Sequence, residues 1–497
     1  MKKAQFLDAF LLVLLLAVPF VLLLAATPNS GNNTNTTKIV SNFTENNTKL
    51  VEKTRELEIV KVKPLNESVF KFNVLGVAVN TLENKGIVTP FEFKVYSAKN
   101  GSIYLDTNSY KEISFQTAVA MAKEFVKYFL HLPIDNKDIL INLKVNSPFV
   151  AGESGGVALT LGLIFAAKNY VPKNLDKYVF TGVIMPFGII GEVGGINLKY
   201  LAAVEENKTL VHGNPTFMQG LFFTNILDLY KHLFGEQLLE KKTIKIPEWY
   251  KEITYKLEKQ ICEEAFKYNF TNSTNYKLYL KAIKNKAYYA AASLCFVYLM
   301  DHSNISVDPL ELHNQILSLR EQINNEISRV KTLYDAEALT AAQKRLELAM
   351  NYYEKYMNTG NESYLVKAYW RLQSAKGWLE FVGKTKGISY YCPKQVYEDE
   401  KKIYASVLSS IELPKITNDY QCYYEVKQTL ANIHDYLFNY PSNVEALIKI
   451  APYYFDRFDL IGYTSYELSQ YLDNMKDKLY YIIRAIDFMH CYSNCSQ

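Results

Sequence analysis

Near residue 245 the spacing of apolar residues changes character, so the chain must build two kinds of structure. From residue 70 to about 239, short apolar runs alternate with helical stretches, the pattern of an α/β domain. Residues 74–79, 91–95, 139–145 and 179–184 read as strands. Residues 114–130 place apolar side chains at 118, 121, 125, 126 and 129, one helical face. Residues 157–169 are apolar almost all round, the mark of a buried helix. From Ile246 onward the pattern is helical throughout. Ile316, Leu319, Ile323, Val330 and Leu333 keep helix spacing, and breaks fall at Thr359-Gly360-Asn361, Pro414 and Pro441-Ser442. No fixed period recurs, so the expectation is an irregular all-α bundle of seven or eight helices, not a repeat array.

With 497 residues, 49% of them hydrophobic and 21% charged, the chain has ample material for packed cores, and global disorder is excluded. The formal charge is only +4, and seven of the 55 cations are Arg. No basic stripe is visible, so a nucleic-acid partner is not expected. The 39 Tyr against 3 Trp read as helix packing with a wet phenol edge, not as base-stacking platforms.

Lys2 and Lys3 precede an uncharged apolar run, residues 9–26, long enough to cross a bilayer. The expectation is a transmembrane anchor or a signal peptide cleaved after Ala25-Ala26, with residues 1–8 cytoplasmic and the bulk outside the cell, single-pass or secreted. Residues 27–67 form a polar tether with N-glycosylation acceptors at Asn32, Asn35, Asn42 and Asn46. All six cysteines lie in the C-terminal half. An even count in an external chain suggests disulfides, and the pairs nearest in sequence are Cys262 with Cys295, Cys392 with Cys422 and Cys491 with Cys495. No CxxC spacing and no suitably placed His accompany them, so neither a metal nor another cofactor is expected.

Chemistry concentrates between residues 150 and 200. Gly152-Glu153-Ser154-Gly155-Gly156 opens the buried helix, where small residues permit a sharp turn and free N–H groups stand ready to hold an oxyanion. The pentapeptide satisfies G-x-S-x-G and is close to the Gly-Asp-Ser-Gly-Gly of trypsin-like proteases, but both need a histidine. The single earlier one, His131, is 23 residues upstream and leaves no room for the intervening barrel. His212 or His232 could serve an α/β-hydrolase order, yet residues 146–152 hold Asn, Ser and Pro where a strand should enter the elbow.

A base without histidine is available further on. Thr181-Gly182-Val183 is followed by Gly191-Glu192-Val193-Gly194-Gly195-Ile196-Asn197-Leu198-Lys199-Tyr200-Leu201-Ala202-Ala203. With Ser154 opening its helix and Gly76-Val77-Ala78-Val79 upstream, residues 70–235 resemble the proteolytic domain of Lon proteases, particularly the archaeal membrane-associated type. Lys199 stands four residues after Gly195, as in that family, and 45 after Ser154. The resemblance implies a Lon-type α/β (α+β) protease domain over 68–240, followed by the helical domain over 246–497. It also implies a Ser154–Lys199 dyad with Thr181, at the Thr181-Gly182 strand end, orienting the lysine. The backbone N–H groups of Glu153 and Ser154 would form the oxyanion hole.

Two departures stand out. No AAA+ module precedes the domain and no Walker A motif occurs, so neither nucleotide nor ATP-driven unfolding is expected. After Ala203 the family's Gly and Ile-Pro strand is replaced by Glu205-Glu206-Asn207-Lys208-Thr209-Leu210-Val211-His212-Gly213-Asn214-Pro215. The expected activity is ATP-independent serine endopeptidase action on extended or unfolded polypeptide. The alternative is a non-catalytic cell-surface protein that retains the scaffold. The helical region could serve substrate selection, contact in a homo-oligomer or surface docking.

Overall fold

Along residues 70–80, side chains alternate between two environments, and this alternation sets the layers of the molecule. The computed structural model describes residues 70–492 apart from 107–108, 146–148, 386–391, 396, 399–400, 402–418 and 439–443. Strand β1 (Phe70–Asn80) turns back on β2 (Lys85–Ser97) in an antiparallel hairpin whose register runs from Phe70 opposite Val95 to Asn80 opposite Lys85. Phe72 and Val74 enter the main apolar core, whereas Leu75 and Val77 join a separate cluster on the other face. Next come β3 (Ile103–Leu105), β4 (Tyr110–Lys111), helix α1 (Ile113–Glu124), β5 (Lys137–Leu143), β6 (Phe149–Val150) and α2 (Gly156–Lys168). They are followed by β7 (Tyr178–Phe180), β8 (Val183–Ile184), β9 (Ile190–Gly191), α3 (Ile196–Glu205), β10 (Thr209–His212), β11 (Leu221–Phe222) and α4 (Ile226–Phe234). The main sheet has seven strands in the order β11-β10-β7-β1-β2-β5-β3, parallel from β1 through β7 and β10 to β11. Helix α2 packs in the cluster of Phe72 and Val74, and α3 contributes Ala202 and Ala203 to the cluster of Val77.

The expected strand over 179–184 is interrupted. β7 ends at Phe180 and β8 begins at Val183: Thr181 N–H still donates to Val211 of β10, but Gly182 turns its N–H to the Ser154 carbonyl. The first expected helix is also modified, since α1 runs into one π-helical turn at Phe125–Phe129.

Ten α-helices follow among the described residues, more than the seven or eight expected. They are α5 (Glu248–Lys267), α6 (Asn275–Lys284), α7 (Tyr288–His302), α8 (Pro309–Glu326), α9 (Leu333–Thr359), α10 (Glu362–Leu379), α11 (Asp419–Leu437), α12 (Val444–Ile450), α13 (Leu460–Ser469) and α14 (Met475–Met489). The surplus comes from short helices such as α6, α12 and α13, which span too few turns to show a clear period. Cys262 and Cys295 form a disulfide between α5 and α7 with Cα atoms 5.2 Å apart. Cys392 and Cys422 form a second with Cα atoms 5.4 Å apart. Cys495, the expected partner of Cys491, lies outside the described residues.

The described residues all fall in one compact unit, Glu67–Gln497, and its main core crosses from the sheet region into the helical region. The Phe129 ring of the π turn stacks on His490 at 4.8 Å between centroids. His490 Nε2 lies 2.7 Å from the carbonyl oxygen of Tyr128, and the Tyr454 hydroxyl donates to the carbonyl of Phe187 at 2.7 Å. Phe187 sits in the loop between β8 and β9.

The N-terminal transmembrane or signal helix in the expected fold, and the single-pass membrane placement built on it, are corrected here. No helix among the described residues is long and apolar enough to cross a membrane. The most uniformly apolar, α2, has 13 residues, about 20 Å of helix against roughly 30 Å of hydrocarbon. The longest, α9, carries charged residues along its length. Residues 9–26, the tether 27–67 and its acceptors Asn32, Asn35, Asn42 and Asn46 lie outside the described residues.

Candidate active site

Ser154 lies in a short 3-10 turn, Glu153–Gly155, that leads into α2. Gly152 before it has φ 90°, a conformation L side chains rarely adopt, and this turns the chain from β6 into the helix. The Gly152 N–H donates to the Ser114 hydroxyl at 2.9 Å, and Glu112 N–H donates to the carbonyl of Val150 at 3.0 Å. The start of α1 thus holds the serine loop. As the first residues of a helical turn, Glu153 and Ser154 have N–H groups without intrahelical acceptors. Burial pushes the pKa of the Glu153 carboxyl up.

The C-terminal end of β7 meets this turn through three bonds. Gly182 N–H donates to the Ser154 carbonyl at 3.0 Å, Val157 N–H donates to the Gly182 carbonyl at 3.2 Å, and the Thr181 hydroxyl donates to the Ser154 carbonyl at 3.2 Å. Thr181 N–H is held in turn by the Val211 carbonyl of β10 at 2.9 Å. Ser154 is half-buried and Thr181 fully buried.

Lys199 comes to the same place from α3. Gly195 caps that helix with φ 65°, and a Cβ there would stand 2.7 Å from the Val79 side chain, so glycine alone fits the turn. One turn on, Lys199 points inward and is 3% exposed. Its Nζ donates to Thr181 Oγ1 at 3.2 Å, and it makes no ion pair with any described residue. Burial pulls its pKa down to about 8. The structure therefore brings Ser154, Thr181, Gly182 and Lys199 together, with Glu153 beside them.

Two positioning residues were not visible in the sequence. Ser114 stands at the start of α1, and no spacing rule links it to Gly152. Asn214 is buried, accepts from Val193 N–H at 3.0 Å and donates to the Val193 carbonyl at 2.9 Å, bracing the Gly194-Gly195 turn. The Asn214-Pro215 pair signals a turn but not what it holds. His212, considered for a hydrolase triad, is committed to backbone. Its Nδ1 accepts from Asn214 N–H at 3.2 Å, which leaves Nε2 to donate to the Gln219 carbonyl at 2.9 Å.

For a metal, one trio among the described residues brings ligand atoms within 4.8 Å of one another: His131, Asp456 and His490. Its carboxylate is already occupied. Asp456 Oδ2 faces His490 Nδ1 at 2.8 Å and accepts from Cys491 N–H at 2.7 Å, while Oδ1 pairs with Lys242. That donor set suits an ion pair better than a cation site.

No protein-family model and no curated protein matches the chain. The likeness to Lon-type proteolytic domains rests on the motifs alone.

Proposed function

We propose that the protein is a serine peptidase in which Ser154 is the nucleophile and Lys199 the general base. The observation that carries this reading is a buried lysine with no carboxylate partner among the described residues, hydrogen-bonded to Thr181, whose hydroxyl reaches the Ser154 backbone. A lysine at its ordinary pKa is protonated at neutral pH and accepts nothing. Burial disfavours the ammonium, so the amine can take the Ser154 proton as Oγ adds to a substrate carbonyl. The N–H groups of Glu153 and Ser154 hold the resulting oxyanion, and Lys199 returns the proton to the departing amine. Water then releases the acyl group with Lys199 again as base. The proposed substrates are extended or unfolded polypeptides, whose backbone can reach the half-buried Ser154.

The test uses a serine-reactive fluorophosphonate and a casein-cleavage assay. One covalent adduct on the peptide containing Ser154, lost in Ser154→Ala, with cleavage lost in Ser154→Ala and Lys199→Met, supports the proposal. Unlabelled Ser154 together with undiminished cleavage by Lys199→Met would overturn it.

A further inference from the structure

The helical region contains a cavity of about 550 Å³ between α5, α7, α10 and the α13–α14 turn, within the usual range for small-molecule sites. Its walls include Leu257, Phe296 and Trp378, and two guanidinium groups line it, those of Arg345 and Arg371. Each is stacked on an aromatic ring: Arg345 Cζ lies 5.5 Å from the centre of Trp378, and Arg371 Cζ lies 5.3 Å from the centre of Phe296. Neither makes an ion pair or hydrogen bond with a described residue, and Nε of Arg371 is buried without an acceptor. Both arginines are half-buried, where a guanidinium is ordinarily paired with carboxylates or carbonyls. Here two like charges share one cavity, held by stacking and left with their donors open.

We infer that this cavity is a binding site for an organic carboxylate with an apolar body, its head gripped by Arg345 and Arg371 and its body lying among the aliphatic and aromatic walls. A planar guanidinium fork matches a carboxylate bidentately, and stacking restricts its rotation in advance. A dianion such as phosphate fits less well, because Asp473 and Asp477 also line the cavity and are exposed. The Cys262–Cys295 disulfide fixes α5 against α7 next to the wall residues Ile261 and Leu294, so the site is preformed. The carboxylate has two chemical sources, a fatty acid or the free C-terminus of a peptide ending in an apolar residue. The inference does not depend on the peptidase reading.

Calorimetric titration of the full chain tests it with four probes: dodecanoate, an acetylated tetrapeptide ending in leucine, the C-terminal amide of that peptide, and inorganic phosphate. Saturable one-to-one binding of dodecanoate or the free peptide is expected, and whichever binds identifies the source. The amide and phosphate should bind at least about tenfold more weakly, and R345Q and R371Q should each weaken carboxylate binding at least about tenfold. If R371Q gives no cooperative melt, R371K serves instead: it keeps the charge but loses the fork, and it should also bind several-fold more weakly. Absence of saturable carboxylate binding overturns the inference. So do equal affinity for the amide or phosphate, and wild-type affinity in the arginine variants.

Discussion

Thr181 donates its one hydroxyl proton to the carbonyl oxygen of Ser154 and so meets Nζ of Lys199 only as an acceptor, each bond being 3.2 Å long. A threonine hydroxyl has a single proton to give. With that proton engaged, Thr181 can receive an N–H from the lysine but cannot occupy the lone pair of its neutral form. The lone pair is left for another donor, and in the proposed mechanism that donor is the Ser154 hydroxyl.

Thr181→Val should therefore lower kcat by about 10–100-fold with little change in KM, while Thr181→Ser keeps most of the activity. An oxygen acceptor stabilises the ammonium more than the amine, so its removal should also move the rising limb of the pH–rate profile to lower pH. A purely structural threonine would leave that limb in place. Steady-state kinetics across pH on both variants decides.

In the wild type, kcat/KM should climb about tenfold per pH unit below an apparent pKa near about 8, the value to which burial lowers Lys199. A flat profile between about pH 6 and 9 would remove Lys199 as the base.

Lys199→Met should be inactive yet more stable. The folded-state pKa of about 8 lies below the ordinary lysine value, so folding disfavours the bound proton. The penalty is fully present below pH 8, shrinks as pH rises through the window to about 10.4, and then vanishes. Its size is of order 3 kcal/mol, and the variant should recover roughly 1–3 kcal/mol at neutral pH. Denaturant curves at pH 7 and 10 should show the wild type gaining stability with pH relative to the variant.

Asn214→Ala removes both bonds to Val193 and leaves the Gly194-Gly195 turn unbraced. Labelling of Ser154 should persist at a reduced rate, because Lys199 is displaced while the serine turn, held by Ser114, is untouched. Labelling at the wild-type rate would show that the turn holds itself.

Opening the buried Cys262–Cys295 bridge, whose cysteines are 33 residues apart, by Cys262→Ala with Cys295→Ala should lower stability by about 2–4 kcal/mol. Chemical denaturation of wild type and double variant reads this directly. Unchanged midpoints would assign the bridge no role in the stability of the helical region.

What could be read in advance was local. The apolar run over 74–79 foretold a strand, and the apolar run after Gly156 foretold a buried helix. The resemblance to Lon-type domains singled out Ser154, Thr181 and Lys199, and in the fold Lys199 meets the Thr181 hydroxyl, which in turn meets the Ser154 backbone carbonyl. What escaped was non-local. The bond from Gly152 to Ser114 spans 38 residues and depends on one hydroxyl, which no periodicity encodes. Thr181 and Gly182 looked like strand; Thr181 N–H makes a last bond to β10, and the backbone bonds of Gly182 to Ser154 and Val157 then leave the ladder. The boundary near 245 marks a true change of pattern, but apolar periodicity says nothing of which later helix completes an earlier core.

That completion bears on the order in which the chain is made. Tyr454 holds the carbonyl of Phe187 from 267 positions further along, and His490 reaches Tyr128 across 362. During synthesis Ser154, Lys199, the π turn and the β8–β9 loop all emerge long before Tyr454 and His490. A growing chain therefore carries every reactive group of the proposed centre without its final support. The contacts that brace the π turn and the β8–β9 loop close only after Tyr454 and His490 have been added, later in synthesis than the strands and helices they support.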